Sequence, residues 1–156
     1  METMEKVRIA YAEIPKGLYA AMLNTEKYLK ESGLPASLVH LIKTRASQIN
    51  KCGYCIDMHH KDAIRMGETF QRLYLLPAWE ESPCFTEAEK AVINLTDRLT
   101  EISKQSAHQI EEAYNRISQH YSKAEIANVV LAITQINAWN RIAITFGNIP
   151  GSYHVG

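Results

Sequence analysis

The sequence predicts an all-α fold, and three observations carry that expectation. No segment alternates polar and apolar residues with period two for long enough to form a strand. Apolar residues recur instead at three- and four-residue spacings. The segments that carry them are bounded by helix caps and stops and joined by short connections, so neighbouring helices should pack directly on one another.

Pro15 to Lys30 has Leu18, Ala21, Met22 and Leu29 at a loose helical period and stops at Glu31-Ser32-Gly33. Pro35 suits a first helical turn, and Ser37 is placed to cap a second helix with Leu38, Leu41, Ile42, Ala46 and Ile49 on one face. That helix should break near Asn50. A third helix opens at Cys52 and continues to Met66, with Gly67 where a left-handed residue is needed. Thr69 to Leu76 makes a short fourth helix stopped by Pro77. Thr86-Glu87-Ala88-Glu89 is a capping box for a fifth helix through Ala91, Leu95 and Leu99. Ser106 to Gln119 repeats the period at Ile110, Ala113, Tyr114 and Ile117. Ser122 to Glu125 then caps a long apolar helix ending near Gly147.

The 156 residues form a single domain, 1–156, large enough to bury about two thirds of the unfolded surface without disulfides. Lys and Arg number 17 and so do Asp and Glu, without long same-sign runs, so no nucleic-acid partner is expected. The longest nearly uncharged stretch, Ile126 to Ile142, contains Asn128, Thr134, Gln135, Asn137, Trp139, Asn140 and Arg141, which marks a buried helix and not a membrane span. Met1 to Tyr11 has no basic segment leading into an apolar one, so a cytoplasmic location is expected. Three cysteines in a chain that folds without staples indicate thiol chemistry or metal binding.

The chemistry is concentrated in Ser47-Gln-Ile-Asn-Lys-Cys52-Gly-Tyr-Cys55-Ile-Asp-Met-His59-His60. His59 stands four residues after Cys55, the spacing at which helical side chains meet, so its imidazole can take the thiol proton or stabilise the thiolate. A cysteine at a helix N-terminus also feels the positive end of the dipole, which lowers its pKa. Two cysteines three apart on a regular helix are slightly too far apart for a disulfide, so closing one needs local adjustment at the first turn, which Gly53 eases. Such a dithiol suits peroxide reduction or disulfide exchange. Two other readings stand beside it. One is a zinc site completed by His59 or His60 and Cys84; the other is a pair of thiols that only pack. The histidine at i+4 favours the redox reading.

SQINKCGYCIDMHHKDA, with Gly67-Glu68, Leu73, Leu76-Pro-Ala-Trp79, Ser82 and later Ile136-Asn-Ala-Trp139-Asn-Arg-Ile142, resembles the carboxymuconolactone decarboxylase superfamily, and within it the alkylhydroperoxidase AhpD-like branch. The likeness runs from about Leu34 to Phe146. It implies a helical bundle assembled as a dimer, trimer or hexamer, a thiol peroxidase or disulfide reductase acting on hydroperoxides, and a protein or small-molecule thiol reductant. Neither metal nor organic cofactor is implied. Cys55 matches the peroxide-attacking cysteine, Cys52 its disulfide partner and His59 the proton-relay histidine. The helix dipole alone favours Cys52 as the nucleophile, so the residues leave the order of the two thiols open.

Two departures from the pattern stand out. The peroxidases of that branch carry a glutamate twelve residues before the first cysteine, where this chain has His40, and a histidine between the cysteines, where it has Tyr54. On a straight helix twelve residues span about 18 Å, so His40 can join Cys52, Cys55 and His59 only if the chain folds back at Asn50. His60 points about 100° away from His59 and is expected at a subunit contact or in solvent, and Cys84 is expected to be a bystander. Trp79, Trp139 and Tyr114 are read as core or interface anchors. Asn137, Asn140 and Arg141 need partners, either holding the site helices in register or bonding across a subunit boundary. The alternatives to a peroxidase are a disulfide oxidoreductase or redox sensor, a lactone-acid decarboxylase, and a non-catalytic or zinc-binding helical oligomer.

Overall fold

The computed structural model describes residues 7–156. The reading of Met1 to Tyr11 as lacking a leader therefore falls partly outside the described residues. Seven α-helices make up the described chain: α1 Leu18–Glu31, α2 Ala36–Ile49, α3 Gly53–Arg65, α4 Phe70–Leu75, α5 Glu87–Thr100, α6 Ala107–Ile117 and α7 Lys123–Phe146. No strand occurs among the described residues, and no described helix is long and apolar enough to cross a membrane.

The capping boxes expected at Thr86 and Ser122 form, and Ser106 makes a third that the apolar period did not announce. Thr86, Ser106 and Ser122 each accept a hydrogen bond from the backbone N–H three residues on, and Glu89, Gln109 and Glu125 bond back. One local expectation fails. Ser37 caps nothing: α2 begins at Ala36, with Pro35 in the cap position and no side-chain bond there. The short fourth helix ends before Pro77 as expected, at Leu75, and Pro77 then sits inside a separate 3-10 turn, Leu76–Ala78, at a position where its missing N–H costs nothing.

Helix α2 runs through the middle of the bundle, packing on α3, α5 and α7, while α6 packs on α5 and α1 on α7. The main core joins Ile42 and Ala46 of α2 to Val92 and Leu95 of α5, Ile117 of α6, and Val129, Ile133 and Ile136 of α7. A second cluster gathers Leu41, Leu76, Trp79, Phe85 and Ile93, with Cys84 packed against it. Trp79 is thus the core anchor expected, its Nε1 donating to Asp97 Oδ2 at 3.0 Å. Asp97 also receives Arg45 Nε at 2.6 Å and Nη2 at 3.0 Å, a two-pronged tie between α5 and α2. Tyr114, read as an anchor, is instead 41% exposed, because the α6 period that buries Ala113 and Ile117 turns it outward.

Candidate active site

The break after Asn50 sets the site. Helix α2 ends in a Schellman motif: the Cys52 N–H donates to Ser47 O at 3.0 Å and the Lys51 N–H to Gln48 O at 3.2 Å. Lys51 takes the left-handed position, φ 56°, usually held by glycine. The chain reverses there and α3 packs back along α2. Three amides hold the turn against α7. Asn50 Nδ2 donates to Oδ1 of both Asn137 and Asn140, each at 2.9 Å, and Asn140 Nδ2 donates to Ser47 Oγ at 3.0 Å. Of the two roles expected for the α7 amides, Asn137 and Asn140 serve the intrachain one: they fix the site helices in register.

Cys52 is the N-cap residue of α3, with extended backbone angles, and Cys55 lies in the first turn. The two form a disulfide with Cα atoms 5.3 Å apart, within the ordinary range. The adjustment that lets them meet is Cys52 lying outside the helix. Gly53, expected to ease it, is itself helical and matters for space: a Cβ there would stand 2.9 Å from Pro150 Cγ. His59 follows one turn after Cys55 and is 5% exposed. Neither ring nitrogen has a partner among the described residues. Burial, reinforced by the Lys43, His40 and His60 charges, lowers its pKa to about 3, so the imidazole is neutral at physiological pH.

Cys55 and His59 open on a cavity of about 510 Å³, and His40 lines the same cavity. The fold-back at Asn50 thus brings His40 to the cavity on which Cys55 and His59 open. Its pKa is also lowered, first by burial and then by Lys43, its Nε2 lies 2.8 Å from Met66 Sδ, and its buried Nδ1 is unpaired among the described residues. His60 is not in this cavity. It borders a surface cleft with Phe70, Leu73 and Tyr74.

Several cavity residues escape the sequence reading. Tyr19, Leu23 and Glu26 of α1 line it, at the i, i+4, i+7 spacing of one helix face, a pattern visible in the sequence once α1 is known to lie there. Glu26 Oε2 pairs with Lys43 Nζ at 2.7 Å, and Trp139 Nε1 donates to Glu26 Oε1 at 2.9 Å. Trp139, read as a core or interface anchor, is a cavity wall. It stacks on Tyr19 with centroids 5.9 Å apart, and Tyr19 stacks on Tyr11 at 5.6 Å, a three-ring face. The polar companions of Trp139 lie on α1 and α2, which the α7 pattern alone cannot reveal.

A second cavity of about 260 Å³ adjoins the first at the disulfide. It is lined by Cys52 and not Cys55, whereas the larger one is lined by Cys55 and not Cys52; Tyr54, Ala143 and Asn148 wall both. The alternative zinc set is not assembled. Cys84 belongs to the Leu76–Trp79–Phe85 cluster, Cys52 and Cys55 to another, and among the described residues no three His, Cys, Asp or Glu side chains are grouped to hold a metal ion.

Residues 16–98 match the model of the carboxymuconolactone decarboxylase family. The chain is 44% identical over 146 residues to the uncharacterized protein YdfG of Bacillus subtilis, covering 93% of this chain and 97% of that one. A crystal structure of a protein of unknown function from Agrobacterium tumefaciens, provisionally described as antioxidant defence protein AhpD, superposes with a TM-score of 0.85. It is 38% identical, covering 97% of this chain and 99% of that one. The debrominase Bmp8, solved with 2,3,4-tribromopyrrole, shares the fold at 16% identity, with a TM-score of 0.76 over 86% of this chain and 71% of that one.

Proposed function

The chain belongs to the carboxymuconolactone decarboxylase family and has the AhpD-like helical fold; from that premise we propose that it is a thiol-dependent peroxidase that reduces organic hydroperoxides through Cys55, Cys52 and His59. The observation that carries this reading is the Cys52–Cys55 pair at the start of α3, with Cys55 and His59 lining one aromatic-walled cavity. In the reduced protein the Cys55 thiolate attacks the outer peroxide oxygen. The O–O bond breaks, the alcohol leaves with a proton relayed by His59, and Cys55 becomes a sulfenic acid. Cys52 then displaces water and closes the disulfide. A thiolate beside His59 raises that imidazole's proton affinity, so the proton can move although the ring is a weak base in the oxidised chain. His40, in place of a carboxylate, passes the proton onward from the same cavity. A thiol reductant, protein or small molecule, reopens the bridge. The setting is the cytoplasm, and the working form is a homo-oligomer of two, three or six chains, a reading supported by the exposed rings of Phe70 and Tyr74.

The test is consumption of cumene hydroperoxide by the reduced protein while free thiols are followed. Turnover should vanish in Cys55→Ser, and Cys52→Ser should stop at a trapped sulfenic acid. His59→Ala should slow turnover by about 10²-fold or more. Wild-type protein that forms the disulfide yet consumes no more hydroperoxide than these variants would refute the peroxidase and leave a disulfide oxidoreductase or redox sensor. That second reading draws support from His59 having no carboxylate partner among the described residues. Decarboxylation draws less, because Glu26, a carboxylate of the cavity, is already held by Lys43 and Trp139.

A further inference from the structure

The two cysteines of the bridge line different spaces, and those spaces differ in charge. The larger cavity balances Lys43 against Glu26 at 2.7 Å and adds Asp62. The smaller one has Lys51 and Arg8 at its rim and no Asp or Glu among its described lining residues. Arg8 is fixed there: its Nε donates to Thr145 O at 2.7 Å and a terminal nitrogen to Ile144 O, at the end of α7. Lys51 is held by its left-handed place in the Schellman turn, next to Cys52. The outer wall is the C-terminal segment, with Pro150 against Gly53, and that segment is tied to α3 by Lys61 Nζ donating to Tyr153 O and Tyr153 Oη donating to Asp62.

We propose that the smaller cavity is the reductant's site, and that it receives a small anionic thiol, one bearing carboxylates, which attacks Cys52 Sγ. The proposal rests on the thiol-redox reading of the dithiol and adds which sulfur is attacked, from which side and by what class of thiol. The cations at the rim draw in the thiolate and its carboxylates, and a space of about 260 Å³ accommodates a small molecule. The R–S⁻ electron pair forms a bond to Cys52 Sγ, the Cys52–Cys55 bond breaks, and its electron pair leaves on Cys55 Sγ. That thiolate emerges in the larger cavity, beside His59, where the next oxidant arrives. A second thiol attacks the mixed disulfide and releases Cys52. In sum, two R–SH and the protein disulfide become R–S–S–R and the protein dithiol, with the two thiol protons ending on the two cysteines. Oxidant and reductant thus use opposite faces of one bridge and do not compete for space.

The test measures reduction alone. Wild-type protein oxidised with diamide is mixed with mercaptosuccinate, 2-mercaptoethanol or cysteamine at equal thiolate concentration and low salt. Mercaptosuccinate should reduce it about ten-fold faster than 2-mercaptoethanol, with cysteamine slowest and the spread shrinking in high salt. Lys51→Gly removes the charge while relieving the left-handed backbone, so it cannot fail for want of folding; it should lose most of the preference, and Lys51→Glu should reverse it in favour of cysteamine. Acid-quenched, alkylated intermediates should carry the mercaptosuccinyl group on Cys52. Rates that follow thiolate concentration regardless of thiol charge, insensitivity to both Lys51 variants, or the adduct on Cys55 would overturn the proposal. A bridge resistant to all three thiols would overturn it together with the thiol-redox reading, whereas ordinary reduction without hydroperoxide turnover removes only the peroxidase.

Discussion

His59 holds two unpaired ring nitrogens in a nearly closed site, and that has a measurable consequence for stability. In the folded chain it stays neutral down to about pH 3, whereas unfolded it takes a proton near 6.5. Between those values the unfolded state binds the extra proton, so His59's contribution to stability is complete above pH 6.5 and is lost as the pH falls toward 3. The loss should amount to about 1.4 kcal/mol per pH unit across that window. Urea unfolding of the oxidised protein at pH 7, 6, 5 and 4 should show it, and His59→Leu should remove that part of the slope. An unchanged slope would mean that the ring is already charged or solvated in the folded protein. His40 and His60, also lowered by burial, act in the same direction, so some slope should persist in the variant.

At the scale of elements, the site depends on one helix ending where another begins. Asn140, on α7, is fully buried. It accepts from Asn50, the C-cap residue of α2, and donates to Ser47, the residue whose carbonyl receives the Cys52 N–H. Asn140→Ala leaves Asn50 and Ser47 short of a partner inside the protein and should destabilise it by about 2–3 kcal/mol, read as a shift in the urea midpoint. Because the lost bonds hold the turn into α3, the same variant should also change the rate at which the Cys52–Cys55 bridge is reduced. Destabilisation with an unaltered bridge would show that the Schellman turn holds its shape without α7. Arg141, the other polar residue expected to tie helices together, donates back to Asn137 within α7 and should tolerate replacement by alanine with little loss.

For the molecule as a whole, the proposed oligomer needs a surface. Phe70 and Tyr74 are 60% and 74% exposed and stack on each other at 6.0 Å. They border the cleft that also holds His60 and Leu73, and an apolar patch of this kind is characteristic of a subunit contact. Sedimentation of the wild type should give a multiple of 17.7 kDa, and the double variant Phe70→Ser, Tyr74→Ser should shift it toward the single chain. If the variant sediments like the wild type, the contact lies elsewhere. The α7 face is the next place to look, where Val130 and Ile144 are exposed.

The fold was legible from local chemistry. Capping boxes at Thr86 and Ser122, the stop at Gly67 and the absence of period-two segments are written into neighbouring residues, and backbone hydrogen bonding at helix ends responds to neighbours. The same is true of the dithiol with its i+4 histidine, because one helical turn is enough to set Cys55 and His59 along one cavity. Local chemistry also placed the break near Asn50, but not the left-handed residue at Lys51, since the usual signal is glycine. What the tertiary structure alone decided is what surrounds the motif. Whether His40 reaches the thiols depends on how α3 folds back on α2. That Trp139, Tyr19 and Glu26 form a wall around Cys55 depends on α1 lying across α7, and that Cys52 faces a separate, cationic space depends on where the chain's two end segments come to rest. These are contacts between residues up to a hundred or more positions apart, set by the packing of whole helix faces, and no local spacing encodes them.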